Sequence, residues 1–299
     1  MGPGLATGPS GQAWLDRGRP ISLATRHGKE KAIARPFRKG LGAELMLATG
    51  FDTDSLGTFS GEHPRPADAE TTCRLKAEAG LNATGLTLGL ASEGSFGPHP
   101  GVPFLPLAIE WMTWVDRDQD LVITERLVGC RTNFDHCTAA PGAALHPWLE
   151  RIGFPAHAVI VRPHKLPPGA PAGIALEKGI RGMAPLAAAI AAAASASSDG
   201  LALLETDMRA HRNPTRMAAI RRLAFRLVRR ITSPCPACAA PGWGRVDGVP
   251  GLPCGWCSLP TALVHHEVFG CVSCSHTEQR PRADGLGQAD PQHCPLCNP

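Results

Sequence analysis

The chain has 299 residues, 43% of them hydrophobic and 19% charged, with a net charge of +4. That is enough apolar material for one sizeable core and a small appendage, and too little charge to imply a nucleic-acid or membrane partner by itself. Residues 1–20 carry no long apolar run and read as a disordered tail without a signal peptide. Met183–Ser195 is Ala-dominated and only 13 residues long, too short to span a membrane, so a cytoplasmic protein is expected.

From Ile21 the pattern alternates between strand and helix. ISLAT (21–25), AELMLAT (43–49) and LTLGLAS (86–92) read as strands, with helices predicted over Glu30–Lys39 and Pro66–Gly80. AIEWMTWVD (108–116) and LVITERLV (121–128) flank Arg117–Asp120 and predict an antiparallel hairpin. HPWLERIGF (146–154) reads as a helix before the strand AHAVIVR (156–162). Ala184–Ser197 follows as a helix on Ala propensity, and GLALLET (200–206) as a strand. The strongest helix is Asn213–Ile231, with Asn213 as N-cap and Pro214 at the first position. Met217, Ile220, Leu223, Ala224, Leu227, Val228 and Ile231 form its apolar face, and Arg216, Arg221, Arg222, Arg226, Arg229 and Arg230 cover the rest. The expected fold is a three-layer α/β domain over 21–232 with a mostly parallel or mixed sheet. A small zinc-ribbon-like module follows over 233–299.

That module is marked by four Cys-x-x-Cys pairs: Cys235/Cys238, Cys254/Cys257, Cys271/Cys274 and Cys294/Cys297. Two intervening residues let one tight turn present both sulfurs to a metal, and a second turn completes a tetrahedron. Eight such thiols imply two structural zinc ions. Sequential, interleaved and nested pairings all give two sites, and sequential is the simplest. His276 and His293 lie beside the pairs and read as exposed rather than as replacement ligands. Residues 231–299 contain three Arg, no Lys and five acids, and two four-thiolate zinc centres would bring the module near −6. That balance argues against nucleic acid as its partner.

Four polar clusters follow predicted strands: TRHGKEK (25–31), GFDTDSLGTFSGE (50–62), SEGSFGPHP (92–100) and ETDMRAHRNPTR (205–216). In open α/β sheets ligands bind beyond the carboxyl ends of strands, so the clusters are expected to meet in one cleft. Asp52, Asp54, Glu62, Glu93, Glu205, Asp207 and His211 are candidates for acid–base or metal-ligand roles, with Mg²⁺, Mn²⁺ or Zn²⁺ as candidate bridging ions. His27 and Lys29 at the rim, with Arg209, Arg212 and Asn213, are candidates for holding a small anionic substrate. Cys130, Cys137 and His136 could suggest a thiol site, although lone cysteines are usually core residues. G-x-G-x-x-G, Walker A, H-E-x-x-H and G-x-S-x-G motifs are all missing.

Two function classes fit. One is a metal-assisted hydrolase or group-transfer enzyme acting on a small phosphorylated or carboxylated substrate. The other is a non-catalytic interaction protein using its zinc module and basic helix to bind a protein or nucleic acid. RHGKEKAIARPF, FDTDSLGTFSGE, LASEGSFGPHP and LETDMRAHRNPTRM, with CPAC, LPCGWC, GCVSC and CPLCNP, resemble a bacterial family known as domain of unknown function 6671. The resemblance runs from Ile21 to Pro299 and brings no activity, substrate or catalytic residue with it.

Overall fold

The structure is a computed structural model that describes residues 15, 17–25, 27–49, 67–171 and 173–298. The chain divides into two compact units. The larger holds residues 18–115 and 124–227; the smaller holds 228–299 together with 1–17 and 116–123.

In the larger unit, β1 (Ile21–Ala24) leads through a tight loop into α1 (Glu30–Leu41), followed by β2 (Leu45–Leu47). After α2 (Ala69–Thr84) come β3 (Leu88–His99), β4 (Val102–Asp116) and β5 (Leu121–Gly129). These strands form a mixed sheet in the order β2-β1-β3-β4-β5. β1 lies between β2 and β3 and runs parallel to both. The links from β3 to β4 and β4 to β5 are two and four residues, which only antiparallel neighbours can use. Ile21, Leu23, Leu90, Met112 and Trp114 of the sheet are buried with Ile33 and Phe37 of α1 and Leu81 of α2.

The remaining strands make a second sheet. β6 (His136–Ala139) and α3 (His146–Ile152) precede β7 (Val159–Pro163) and β8 (Glu177–Ile180). α4 (Met183–Ala196) leads to β9 (Ala202–Thr206), and a 3-10 turn over Ala210–Arg212 opens into α5 (Pro214–Ile231). The order is β6-β9-β7-β8, with every neighbour antiparallel. Trp148, Leu149 and Ile152 of α3 and Leu186, Ala189, Ile190 and Ala193 of α4 share a core with Val159, Val161 and Leu204 of the sheet. Leu186 and Ile190 alternate with Ala189 and Ala193 on the buried face of α4.

The α/β class and the mixed sheet match the sequence, and the strands after β5 add an antiparallel sheet that the alternating pattern did not separate. SEGSFGPHP is not a loop after the third strand: β3 continues to His99, so Glu93 stands in mid-strand. Glycine at 94 and 97 made this stretch read as a turn, but the β3–β4 hairpin pairing keeps it extended.

The smaller unit carries β10 (Gly244–Pro250), β11 (Val264–Gly270) and β12 (Thr277–Pro281), an antiparallel meander. Trp243 stacks on His276 with ring centres 5.3 Å apart, and Arg280 lies 4.6 Å over the Phe269 ring. Among the described residues, no helix is long and apolar enough to cross a membrane.

The start of α5 bears out its sequence signals. The Arg216 amide donates to Asn213 Oδ1 at 3.0 Å, and Asn213 Nδ2 donates to Asn133 Oδ1 at 2.9 Å. Asn213 is fully buried, so alanine there removes a cap and strands buried polar groups. Asn213→Ala is expected to cost about 1–3 kcal/mol, read as a lower urea midpoint.

Candidate functional site

Two arrangements carry chemistry. The first lies in the larger unit, where charges gather out of water. Lys29 of the β1–α1 loop, Lys76 of α2, Glu93 of β3, Glu110 of β4 and Arg216 of α5 are each at most 7% exposed. Isolated buried charges are too costly to persist, so each needs a partner or a shifted pKa. Lys76 ion-pairs with Glu93 in a very short contact. Arg216 Nε meets Glu110 Oε1 at 2.7 Å, with both side chains 1% exposed, and Arg216 Nη1 donates to the Met208 carbonyl. Gly94 makes room for that pair: a Cβ there would lie 2.7 Å from Arg216 Nη2 and 2.8 Å from Glu110 Oε2.

Among the described residues three cations therefore face two carboxylates, and Lys29 is the one without an ion-pair partner. Its ammonium donates to the Ser92 carbonyl at 2.5 Å, and among the described residues no carboxylate lies within ion-pair distance of it. Burial, then the nearby Arg216, pull its pKa down to about 8 against the opposing pull of Glu93 and Glu110. Ser92 Oγ is buried with no hydrogen-bond partner among the described residues.

The turn after β9 closes on this centre. Gly28 takes the left-handed conformation (φ 67°) between β1 and α1, and a Cβ there would meet His211 Cβ at 3.6 Å. The His27 and His211 rings stack with centres 5.4 Å apart. Burial, then Arg209 and Arg212, hold His211 below the usual histidine pKa. Asp207 is fully buried and paired with Arg209 Nη2 at 2.6 Å. Phe96 stacks on Phe134 and lies under the Arg216 guanidinium, 5.0 Å from it.

The expected residues thus meet in part. His27, Lys29, Glu93, Asp207, Arg209, His211 and Asn213 belong to one neighbourhood, although Lys29 is buried at its centre and not at the rim. The route also differs from the expected row of parallel strand ends, because β9 lies in the antiparallel sheet. Glu205 does not join them: it is half exposed and pairs with Arg162 at 2.8 Å. The strand ends at Thr206, so the alternation meant to align Glu205 with Asp207 stops between them. Arg212 stays beside Arg209: both reach Gly179, 3.2 and 3.3 Å from where a Cβ would stand, and both act on His211. Asp52, Asp54 and Glu62 lie outside the described residues.

No bridging metal is supported here. The described groups able to hold an ion are all cysteines, and Glu93, Glu110 and Asp207 are neutralised by Lys76, Arg216 and Arg209. The thiol alternative also falls away: Cys130 is exposed on its own, and burial pushes Cys137 up to about 11, far from a reactive thiolate.

The sequence reading passed over Lys76, Glu110 and Arg216, and assigned Arg216 to the solvated face of α5. Each carried a signal. Glu110 shares a strand face with Met112 and Trp114. Lys76 falls on the α2 stripe of Cys73, Ala77 and Gly80. Arg216 precedes Ile220 by one turn. All three are charges at core-facing positions.

The second arrangement is the cysteine set of the smaller unit. Cys235, Cys238, Cys271 and Cys274 form one group, and Cys254, Cys257, Cys294 and Cys297 the other, with the sulfurs of each within 4.8 Å of one another. The simplest, sequential pairing is therefore replaced by an interleaved one. Four thiolates around one zinc at 2.3 Å have sulfurs about 3.8 Å apart; Cys235–Cys274 is 3.8 Å, Cys238–Cys271 3.6 Å and Cys254–Cys297 3.9 Å. Amides of Ala237, Trp256 and Ser273 donate to the first sulfur of their pairs, as thiolates require. Burial, then neighbouring sulfurs, push Cys238 up to about 12, so these thiols cannot all ionise without a cation. The two groups could hold zinc ions. His276 is engaged with Trp243 and Glu278, not with a sulfur cluster.

Fold and cysteine groups together define an α/β protein with a C-terminal module whose two four-cysteine groups could each hold a metal ion. The family described as Domain of unknown function (DUF6671) matches residues 76–299, and the chain belongs to it. The matched span includes Lys76, Glu93, Glu110, Asp207, Arg216 and all eight paired cysteines, and begins after the Lys29 loop. No curated protein and no solved structure matches the chain.

Lys29 makes a pH-dependent test possible. Its pKa is lower folded than unfolded, so keeping it charged and buried costs stability fully below pH 8, and the cost fades as pH rises toward 10.5. The shift corresponds to a cost on the order of 3 kcal/mol. Lys29→Met is expected to raise the melting temperature at pH 7, with the gain shrinking between pH 8 and 10.

Proposed function

We propose that the larger unit is an enzyme that binds a small anionic substrate at the Lys29 centre, for hydrolysis or group transfer. The observation that carries this is the charge count among the described residues: three buried cations against two carboxylates, with Lys29 lacking an acid partner there. A carboxylate or phosphate on the ligand would supply the missing charge, and the preformed cations favour it without reorganisation. The stacked His27 and His211 near this centre would carry protons to and from the ligand, which their 5.4 Å ring stack beside the Lys29 loop supports. A second reading rests on α5, where Arg221, Arg222, Phe225 and Arg226 are exposed and would suit a nucleic-acid backbone. Calorimetry separates the two. Inorganic phosphate or sulfate should bind the wild type with affinity lost in Lys29→Met, whereas a salt-dependent affinity for RNA lost in R222E and unaffected by Lys29→Met would favour the second.

In the smaller unit each cysteine group holds one structural Zn²⁺. The unit has little apolar core, and metal binding contributes on the order of 10–16 kcal/mol per site. Elemental analysis of the purified chain should give two Zn. Cys238→Ser and Cys257→Ser should each leave one. Acidification or a chelator should lower the unfolding temperature of the smaller unit, because protons compete for the thiolates. Iron in place of zinc would overturn the assignment.

A further inference from the structure

Lys29 is placed as an amine rather than as a fixed charge. A lysine that serves only as a phosphate clamp stays protonated and usually meets an acid or open water. Lys29 has neither. It leaves the end of β1, at the carboxyl edge of the parallel strands, and reaches the Ser92 carbonyl on β3. Arg216 and Lys76 crowd it with positive charge, while Glu110 and Glu93 are committed to those two neighbours. Desolvation beside other cations is the arrangement that activates a lysine nucleophile. The same loop reaches the turn after β9 through the His27–His211 stack. That turn supplies Arg209 and Arg212, and Arg212 Nε is buried with no hydrogen-bond partner among the described residues.

We propose that Lys29 forms an imine with a small carbonyl compound bearing a carboxylate, a 2-oxo acid or an aldehyde acid. This rests on the anion-site reading above and narrows its substrate class. The neutral amine adds to the carbonyl carbon, forming an N–C bond while one amine proton passes to the oxygen. The resulting hydroxyl takes a second proton and leaves as water, giving the C=N bond of a cationic imine. No oxidant or reductant is consumed. The carboxylate of the substrate supplies the negative charge that the three cations lack.

The test treats the full-length, zinc-loaded protein at pH 7 with glyoxylate and cyanoborohydride, which reduces the imine to a stable secondary amine. Peptide mass mapping then follows all six lysines: Lys29, Lys31, Lys39, Lys76, Lys165 and Lys178. An amine titrating near 8 is free at pH 7 on the order of 100-fold more often than an ordinary lysine. Lys29 should therefore be trapped on the order of 100-fold faster than exposed Lys31 or Lys39, sulfate should slow that trapping, and Lys29→Arg should lose the adduct while still binding sulfate. Adducts that follow exposure, with Lys29 trailing, would overturn the proposal. If sulfate still binds at a Lys29-dependent site in that case, the anion site stands and only the nucleophile falls. If sulfate does not bind either, both readings fall.

Discussion

The ion pair of Arg216 with Glu110 joins the two sheets of the larger unit, and the polar centre is built around it. Glu110 belongs to β4 of the mixed sheet. Arg216 sits in the first turn of α5, behind the turn that leaves β9, and also holds the Met208 carbonyl of that turn. Both side chains are out of water, so each depends on the other: removing one partner of a buried pair costs about 3–5 kcal/mol because the other charge is left alone. Gly94 is a consequence, since no larger residue could pass beside the pair. The crowding of Lys29 is a second consequence. With Glu110 taken by Arg216 and Glu93 by Lys76, no acid among the described residues remains for it.

Such a cluster is a poor way to hold a fold together. Hydrophobic residues of the same volume would often do as well or better, because they need no desolvation of charge. The larger unit has that alternative elsewhere: α3 and α4 bury Trp148, Leu149, Ile152, Leu186 and Ile190 against the antiparallel sheet with no ionised group among them. The contrast between this dry core and the charged centre a few strands away favours a functional reason for the charges. It also locates the strain. The stability surrendered at Lys29 is surrendered at one end of β1, where a loop rather than a strand must hold it.

Local signals in the sequence were reliable where they depended on backbone chemistry alone. Asn213–Pro214 announced the start of α5, the tetrapeptide Arg117–Asp120 announced the β4–β5 hairpin, and Ala-rich α4 was legible from propensity. The polar centre was half legible. His27, Lys29 and Asp207 stood out because they sit in polar runs just past strand ends, and Glu93 because its glycine-rich run reads as one although it lies in mid-strand. Lys76, Glu110 and Arg216 did not, because each is a single charge inside an apolar pattern, and such residues are easily assigned to the solvated side. The helical and strand periods place all three facing inward, so the information was present in phase rather than in composition. What phase could not give was the partner: Glu110 and Arg216 are 106 residues apart, and only the meeting of the two sheets brings them together.

The cysteine pairing illustrates the same limit and shows how it can be passed. Pair spacing alone left sequential, nested and interleaved arrangements open. The segments between pairs contain β10, β11 and β12, one strand in each gap, and the strands form an antiparallel meander. A seven-residue strand such as β10 spans about 23 Å, whereas sulfurs sharing a metal lie within 4.8 Å. Consecutive pairs are therefore carried to opposite ends of the sheet, and every second pair returns to the same end. The first and third pairs must meet, as must the second and fourth. The turns themselves repeat: Pro234–Pro241 and Pro253–Pro260 each close a Cys-x-x-Cys turn with a bridge between the flanking prolines, and in each the residue after the second cysteine, Ala239 or Ser258, is left-handed. Interleaving thus follows from one strand per gap, and it ties both ends of a sheet too small to hold itself. Under the proposed zinc assignment, loss of either metal would free one end of all three strands at once, so the two centres are expected to act as cooperative parts of one unit.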